Sequence, residues 1–88
     1  MSKLTLRNGR EIELGALPLD ETGDAIADML DAIDSTPGMG FKDLRGKFRD
    51  IGIAAVSLFN PGLDPKSIPA GLDIAIVKQI IARLNGSD

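Results

Sequence analysis

The chain has 88 residues, 43% of them hydrophobic, and a formal net charge of −3, which predicts one small globular domain. It contains no cysteine and no histidine, so disulfides, thiolate metal sites and imidazole catalysis are excluded. The excess of acids argues against a binder of nucleic-acid phosphates, and no stretch approaches the ~20 apolar residues of a membrane span.

These exclusions favour a protein without enzymatic activity, cofactor or metal site. Carboxylates, lysines and Ser57 remain as reactive groups, but no histidine or other base accompanies Ser57 in the sequence. The opening residues MSKLTLRNG lack the apolar run of a signal peptide. We therefore expect a cytoplasmic protein.

The first expected element is a β-hairpin over residues 3–15. Apolar residues alternate with polar ones on both sides of a turn, at Leu4, Leu6, Ile12 and Leu14. A two-residue Asn-Gly turn would put these side chains on opposite faces. A three-residue loop, Arg7-Asn8-Gly9, pairs Leu4 with Ile12 and puts all four on one face. We predict this loop, with Gly9 left-handed and with helices covering the apolar face.

A helix is predicted over residues 20–34, with Asp20 as its N-cap and Ser35-Thr36-Pro37-Gly38 as its end. Its apolar residues recur at i, i+3, i+4 and i+7, at Ile26, Met29, Leu30 and Ile33. Asp24, Asp28 and Asp31 fall on the opposite side. A solvated face is the commoner role of such a stripe, and docking of a basic partner is the alternative.

The most regular segment predicts a helix over residues 41–59. Its apolar seam spans almost three heptads, at Phe41, Leu44, Phe48, Ile51, Ala55 and Leu58. Gly52 lies close to this seam and could let a neighbouring helix approach, whereas Gly46 weakens the helix locally. Beside the seam runs a basic stripe of Lys42, Arg45 and Arg49. We expect it to pair with the acidic helix or to be solvated.

The stretch SLFNPGLDPKSIPAGLD, residues 57–73, predicts a stiff connection that folds the last helix back on the preceding one. Asp64-Pro65 predicts an N-cap and the start of a short turn. The last helix is predicted over residues 69–85, opening at Pro69 or Ala70. Its apolar arc of roughly 160° contains Ile74, Ile76, Val77, Ile80, Ile81 and Leu84. The arc is wider than one seam needs, so it is either buried between the hairpin and the preceding helix or exposed along one flank.

Together these elements predict a single domain, residues 1–88, of the α+β class and mainly α. An N-terminal β-hairpin is followed by a three-helix bundle. In layout, the segments LTLRNGREIEL, SLFNPGLDPKSIPAGLD and IIARLNGSD resemble the small tail assembly chaperones of siphophages and prophages. That family often opens with strand–turn–strand, and its helical middle leads to an Asn-Pro turn, an xPxxIPxxLD turn and a closing helix. Residues 36–49 have no counterpart in this pattern.

The resemblance implies a non-enzymatic protein of the host cell cytoplasm, without a cofactor. It would bind the tape measure and tail tube proteins during virion assembly, and it could form homo-oligomers. The flanks of the last two helices supply the candidate protein-binding residues: Phe59, Leu63, Ile68, Leu72, Ile76 and Ile80. A modest affinity for apolar helices would suit a carrier that must release its client.

Three other interpretations remain open. One is an adaptor for other proteins. Another is a small nucleic-acid-binding regulator that uses Lys42, Arg45, Lys47 and Arg49, whose affinity would fall steeply with salt. The last is an enzyme that works through paired acids, Asp20 with Asp24 or Asp28 with Asp31, in a cleft that the sequence does not identify.

Overall fold

The computed structural model of the chain describes residues 2–34 and 38–86. In chain order the elements are β1 (Ser2–Thr5), β2 (Glu11–Leu14), α1 (Glu21–Asp34), α2 (Phe41–Phe59), a 3₁₀-helix (Pro65–Gly71) and α3 (Ile74–Leu84). The predicted class, α+β and mainly α with an N-terminal hairpin, is confirmed. The described residues form four helices rather than three, because the turn predicted after Asp64 is a 3₁₀-helix. The residues predicted to end α1, Ser35 to Pro37, lie outside the described part.

The hairpin has the predicted register. Leu4 pairs with Ile12, and the Leu6 N–H donates to the Arg10 carbonyl at 2.8 Å across the three-residue loop. Gly9 has φ +87°, the left-handed conformation that this loop requires. Side chains therefore alternate between one buried face and one exposed face. The buried face consists of Leu4, Leu6, Ile12 and Leu14.

A side chain from the end of α2 covers the outer edge of β2. The Asn60 Oδ1 accepts the Glu13 N–H at 3.0 Å, and the Asn60 Nδ2 donates to the Glu13 carbonyl at 2.8 Å. An adjacent strand would make the same two bonds. The Nδ2 also donates to the Val56 carbonyl at 3.0 Å, so this amide ties the hairpin to the C-terminal end of α2.

The last helix begins later than predicted. Pro69 to Gly71 belong to the 3₁₀-helix, and α3 starts at Ile74. Asp73 determines this start, because its carboxylate accepts the Ile76 N–H at 2.7 Å as an N-cap. The prediction that Pro69 or Ala70 opens the last helix was therefore wrong.

Helix α2 is the central element, since α1, α3, the 3₁₀-helix and β2 all pack against it. Gly52 permits a close approach of α3: a Cβ there would lie 2.7 Å from the Leu72 Cδ1 and 3.2 Å from the Val77 Cγ2. The predicted role of Gly52 is thus confirmed. The core that results is aliphatic and includes Leu4, Leu6, Ile12, Leu14, Ile26, Ala55, Val56, Ile68, Ile80 and Leu84.

Candidate protein-binding grooves

Two of the six predicted protein-binding residues are core residues. Ile68 is 2% exposed and Ile80 is 0% exposed, so both support the fold and neither offers surface to a partner. This corrects their assignment to an open flank. The remaining four are half-buried and pack against the core: Phe59, Leu63, Leu72 and Ile76. Of these, Leu72 lines one of the two grooves described below.

The wide apolar arc of α3 is only partly covered. Its centre is buried and consists of Val77, Ile80 and Leu84. At ~100° per residue, Ile74 and Ile81 lie together on one edge of this arc, and Ile76 lies on the other edge. All three of these edge side chains are half-buried. Of the two alternatives for this arc, burial holds for its centre, and the half-buried edge carrying Ile74 and Ile81 faces both grooves.

The first groove separates α1 from α3 and has a volume of about 500 Å³. We call it the α1–α3 groove. Its lining is mainly apolar: Leu17, Ala27, Leu30, Ile33, Phe48 and Ile81. The polar residues at its margin are unevenly charged, with Asp31 and Asp34 on α1 and Lys78 and Asn85 at α3. The arrangement is thus an apolar trough with one acidic wall.

The second groove lies between the N-terminal half of α2 and residues 69–77, with a volume of about 830 Å³. We call it the α2–α3 groove. Its apolar residues include Phe48, Leu72, Ile74 and Val77. Its charged residues have both signs: Lys42, Asp43, Arg45, Lys47, Arg49, Asp50 and Asp73. Because Phe48 lines both grooves, the two meet at this side chain.

The N-terminal half of the α2 seam remains open. Phe41 is 68% exposed and Phe48 is half-buried, whereas Ile51 and Ala55 are completely buried. The hairpin and the 3₁₀-helix pack on α2, and Asn60 fixes the hairpin at the C-terminal end of the helix. The seam predicted over almost three heptads is therefore a core seam only in its second half.

The basic stripe does not pair with the acidic helix. Among the described residues the ion pair is Arg49–Asp50, at 3.5 Å and with both side chains 59% exposed. Lys42 and Arg45 are exposed, as is the acidic stripe of Asp24, Asp28 and Asp31. Of the two outcomes predicted for the basic stripe, solvation is therefore the correct one. An exposed pair such as Arg49–Asp50 contributes only ~0–1 kcal/mol to stability.

Sequence reasoning missed most of the groove residues. Leu17 and Ala27 carry no signal that distinguishes them from residues of a core. Phe48, Leu30 and Ile81 were recognised as apolar positions, but periodicity alone does not tell which of them another element covers. The usable signal was the excess width of the α3 arc, which left burial and an exposed flank as alternatives.

Within the described residues, no three acidic side chains are grouped so that they could hold a metal ion, and no helix is long and apolar enough to cross a membrane. The chain matches no protein-family model, no curated protein and no solved structure.

Proposed function

We propose that this chain is a non-enzymatic tail assembly chaperone that binds the tape measure and tail tube proteins in the cytoplasm of the host cell. The observation that carries the proposal is the α1–α3 groove, an apolar trough between two helices that no element among the described residues fills. The resemblance of three segments to the phage chaperones specifies the clients.

The groove has the chemistry of a helix-binding surface. Its floor and walls are aliphatic and aromatic side chains, which recognise the apolar face of a partner helix without a fixed motif. An open, shallow trough leaves part of the partner in water, so the affinity is modest and release is possible. Exposed Phe41 and half-exposed Met29 add apolar surface elsewhere on the molecule. The acidic balance keeps such a carrier soluble.

The test is co-expression with the tape measure protein encoded in the same phage or prophage. We expect the soluble fraction of the tape measure protein to rise several-fold and the two chains to co-purify. Co-expression of the tape measure protein with an unrelated small soluble protein serves as the control and should leave the tape measure protein insoluble. A tape measure protein that stays insoluble, with no co-purification of it or of the tail tube protein, would remove the proposal.

A second candidate function is nucleic-acid binding. The observation in its favour is that four bases, Lys42, Arg45, Lys47 and Arg49, line one groove. Three acids, Asp43, Asp50 and Asp73, line the same groove and weaken the attraction for phosphates. A gel-shift titration with duplex DNA at low salt decides the question. Binding that weakens steeply with salt and is lost in Lys42→Ala/Arg45→Ala supports this function, and the absence of any shift eliminates it.

A further inference from the structure

We infer that the α1–α3 groove is the client site and that its occupant is an amphipathic helix of another protein, with Lys or Arg along one side of its apolar stripe. The inference rests on the proposed function and adds the location of the site and the chemistry of the partner. It draws on the shape of the groove and on the distribution of charge around it.

The groove lies between two helices that both pack on a third. Both α1 and α3 pack against α2, and the space between them is floored by Phe48. Leu30 of α1 and Ile81 of α3 form apolar walls on either side. A helix laid in this space would place its apolar side chains at i, i+3, i+4 and i+7 against the walls, as a fourth helix of a bundle does.

The charges along the two margins of the groove indicate which side of the partner helix carries Lys or Arg. Asp31 and Asp34 form the α1 margin, and neither belongs to an ion pair among the described residues. From Glu11 to Phe41 the sequence contains eight acids and no Lys or Arg, so no neighbouring base in this segment neutralises the wall. The α3 margin carries a single cation, Lys78. A partner with Lys or Arg facing α1 would match this field and would associate faster at low salt.

The same field disfavours a second copy that would dock through its own α1. The acids of that helix would approach Asp31 and Asp34, and like charges at an interface oppose binding. The helix of a second copy that has bases beside an apolar seam is α2, with Lys42 and Arg45. The proposed function favours another protein over that helix, and light scattering tests the choice.

Two labelled helical peptides provide the probes, because the chain has no Trp or Tyr to report binding itself. Both peptides carry Leu at i, i+3, i+4 and i+7; one has Lys beside the stripe and the other has Glu. Fluorescence anisotropy at low salt should give at least tenfold tighter binding of the Lys peptide. This preference should fall when the salt concentration rises, because exposed charges are screened.

Matched charge variants locate the contact. Asp31→Asn/Asp34→Asn should weaken binding of the Lys peptide three- to tenfold. Asp24→Asn/Asp28→Asn removes the same charge from the same helix outside the groove lining and should change binding less than twofold. Equal losses in both double variants would show non-specific attraction by an acidic protein and would overturn the inference.

An apolar variant separates the site from the function. Ile81→Glu should reduce binding of the Lys peptide at least tenfold, and Lys78→Gln, which leaves the apolar walls intact, should not. Circular dichroism must confirm that each variant is folded, and Leu30→Gln replaces Ile81→Glu if the latter unfolds. If these variants still solubilise the tape measure protein, the function stands and the groove is not its site. A dimer in light scattering whose stability Asp31→Asn/Asp34→Asn changes in either direction would assign the groove to a second copy and overturn the inference.

Discussion

Alanine at Gly23 should destabilise the protein although it improves helix propensity. Gly23 is the third residue of α1, and a Cβ built on it overlaps the Pro18 carbonyl oxygen and lies 2.9 Å from the Pro18 carbonyl carbon. Ordinary contacts begin at about 3.4 Å, so the two backbones would have to move apart. Both groups are main chain, and no rotation of a side chain can relieve the clash.

The size of the effect follows from two opposing terms. Replacing Gly by Ala inside a helix stabilises by up to ~1 kcal/mol. Overpacking costs ~1–3 kcal/mol, and a clash between backbones belongs at the upper end. We therefore expect Gly23→Ala to lose about 2 kcal/mol. For a domain of this size that lowers Tm by roughly 8–16 °C, at about 4–8 °C per kcal/mol.

Gly46→Ala is the matched control, because it makes the same chemical change in α2 without a clash. The atom nearest to its added Cβ is the Arg49 Nη2 at 3.8 Å, an ordinary contact. This variant should gain ~0.5–1 kcal/mol. Urea unfolding followed by circular dichroism at 222 nm measures both variants. If Gly23→Ala proves as stable as the parent chain with an unchanged m-value, the segment before α1 is not packed as described, and Leu17 loses its place in the groove.

Three further substitutions test other local features of the fold. Asn60→Ala removes both bonds to Glu13, so it should lose ~1–3 kcal/mol in urea unfolding and speed hydrogen exchange of the Glu13 amide; unchanged exchange would contradict the edge contact. Asp73→Ala removes the cap of α3 and should lower the free energy of unfolding by ~1 kcal/mol, whereas Asp73→Asn should change it by only a few tenths of a kcal/mol. Equal losses in the two variants would contradict the capping role of Asp73. Gly9→Ala at φ +87° should cost ~1–2 kcal/mol, and a neutral result would argue for a different hairpin loop.

The hairpin was predictable in detail because its register depends on local information. Alternation of apolar residues admits one pairing that puts Leu4 and Ile12 on the same face, and the loop length follows from that pairing. The start of α3 was not predictable in the same way. Gly71 ends the 3₁₀-helix where its carbonyl accepts the Arg7 N–H at 2.8 Å, a contact between residues 64 positions apart. The N-cap that fixes the start of α3 is Asp73, which was not among the predicted caps.

The sequence indicated that the chain has excess apolar surface, but not where in the fold that surface lies. An arc too wide for one seam allowed either full burial of α3 or one open flank. Which part remains open depends on how α1, α2 and α3 cross, and that packing buried Ile68 and Ile80 while leaving Ile81 at the groove. Whether the basic stripe pairs with the acids of α1 was not predictable for the same reason, since the distance between Lys42 and those acids is set by the placement of whole helices.

The amide of Asn60 also affects how these molecules behave when crowded together. In the observed register the Glu13 N–H and carbonyl point away from β1, toward the side where another chain's strand would dock. Since Asn60 already occupies both groups, a neighbour cannot extend the sheet there without first displacing it. Asn60 thus caps this edge of the sheet and opposes aggregation by strand addition. Such protection would be useful to a molecule that works among chains prone to aggregate.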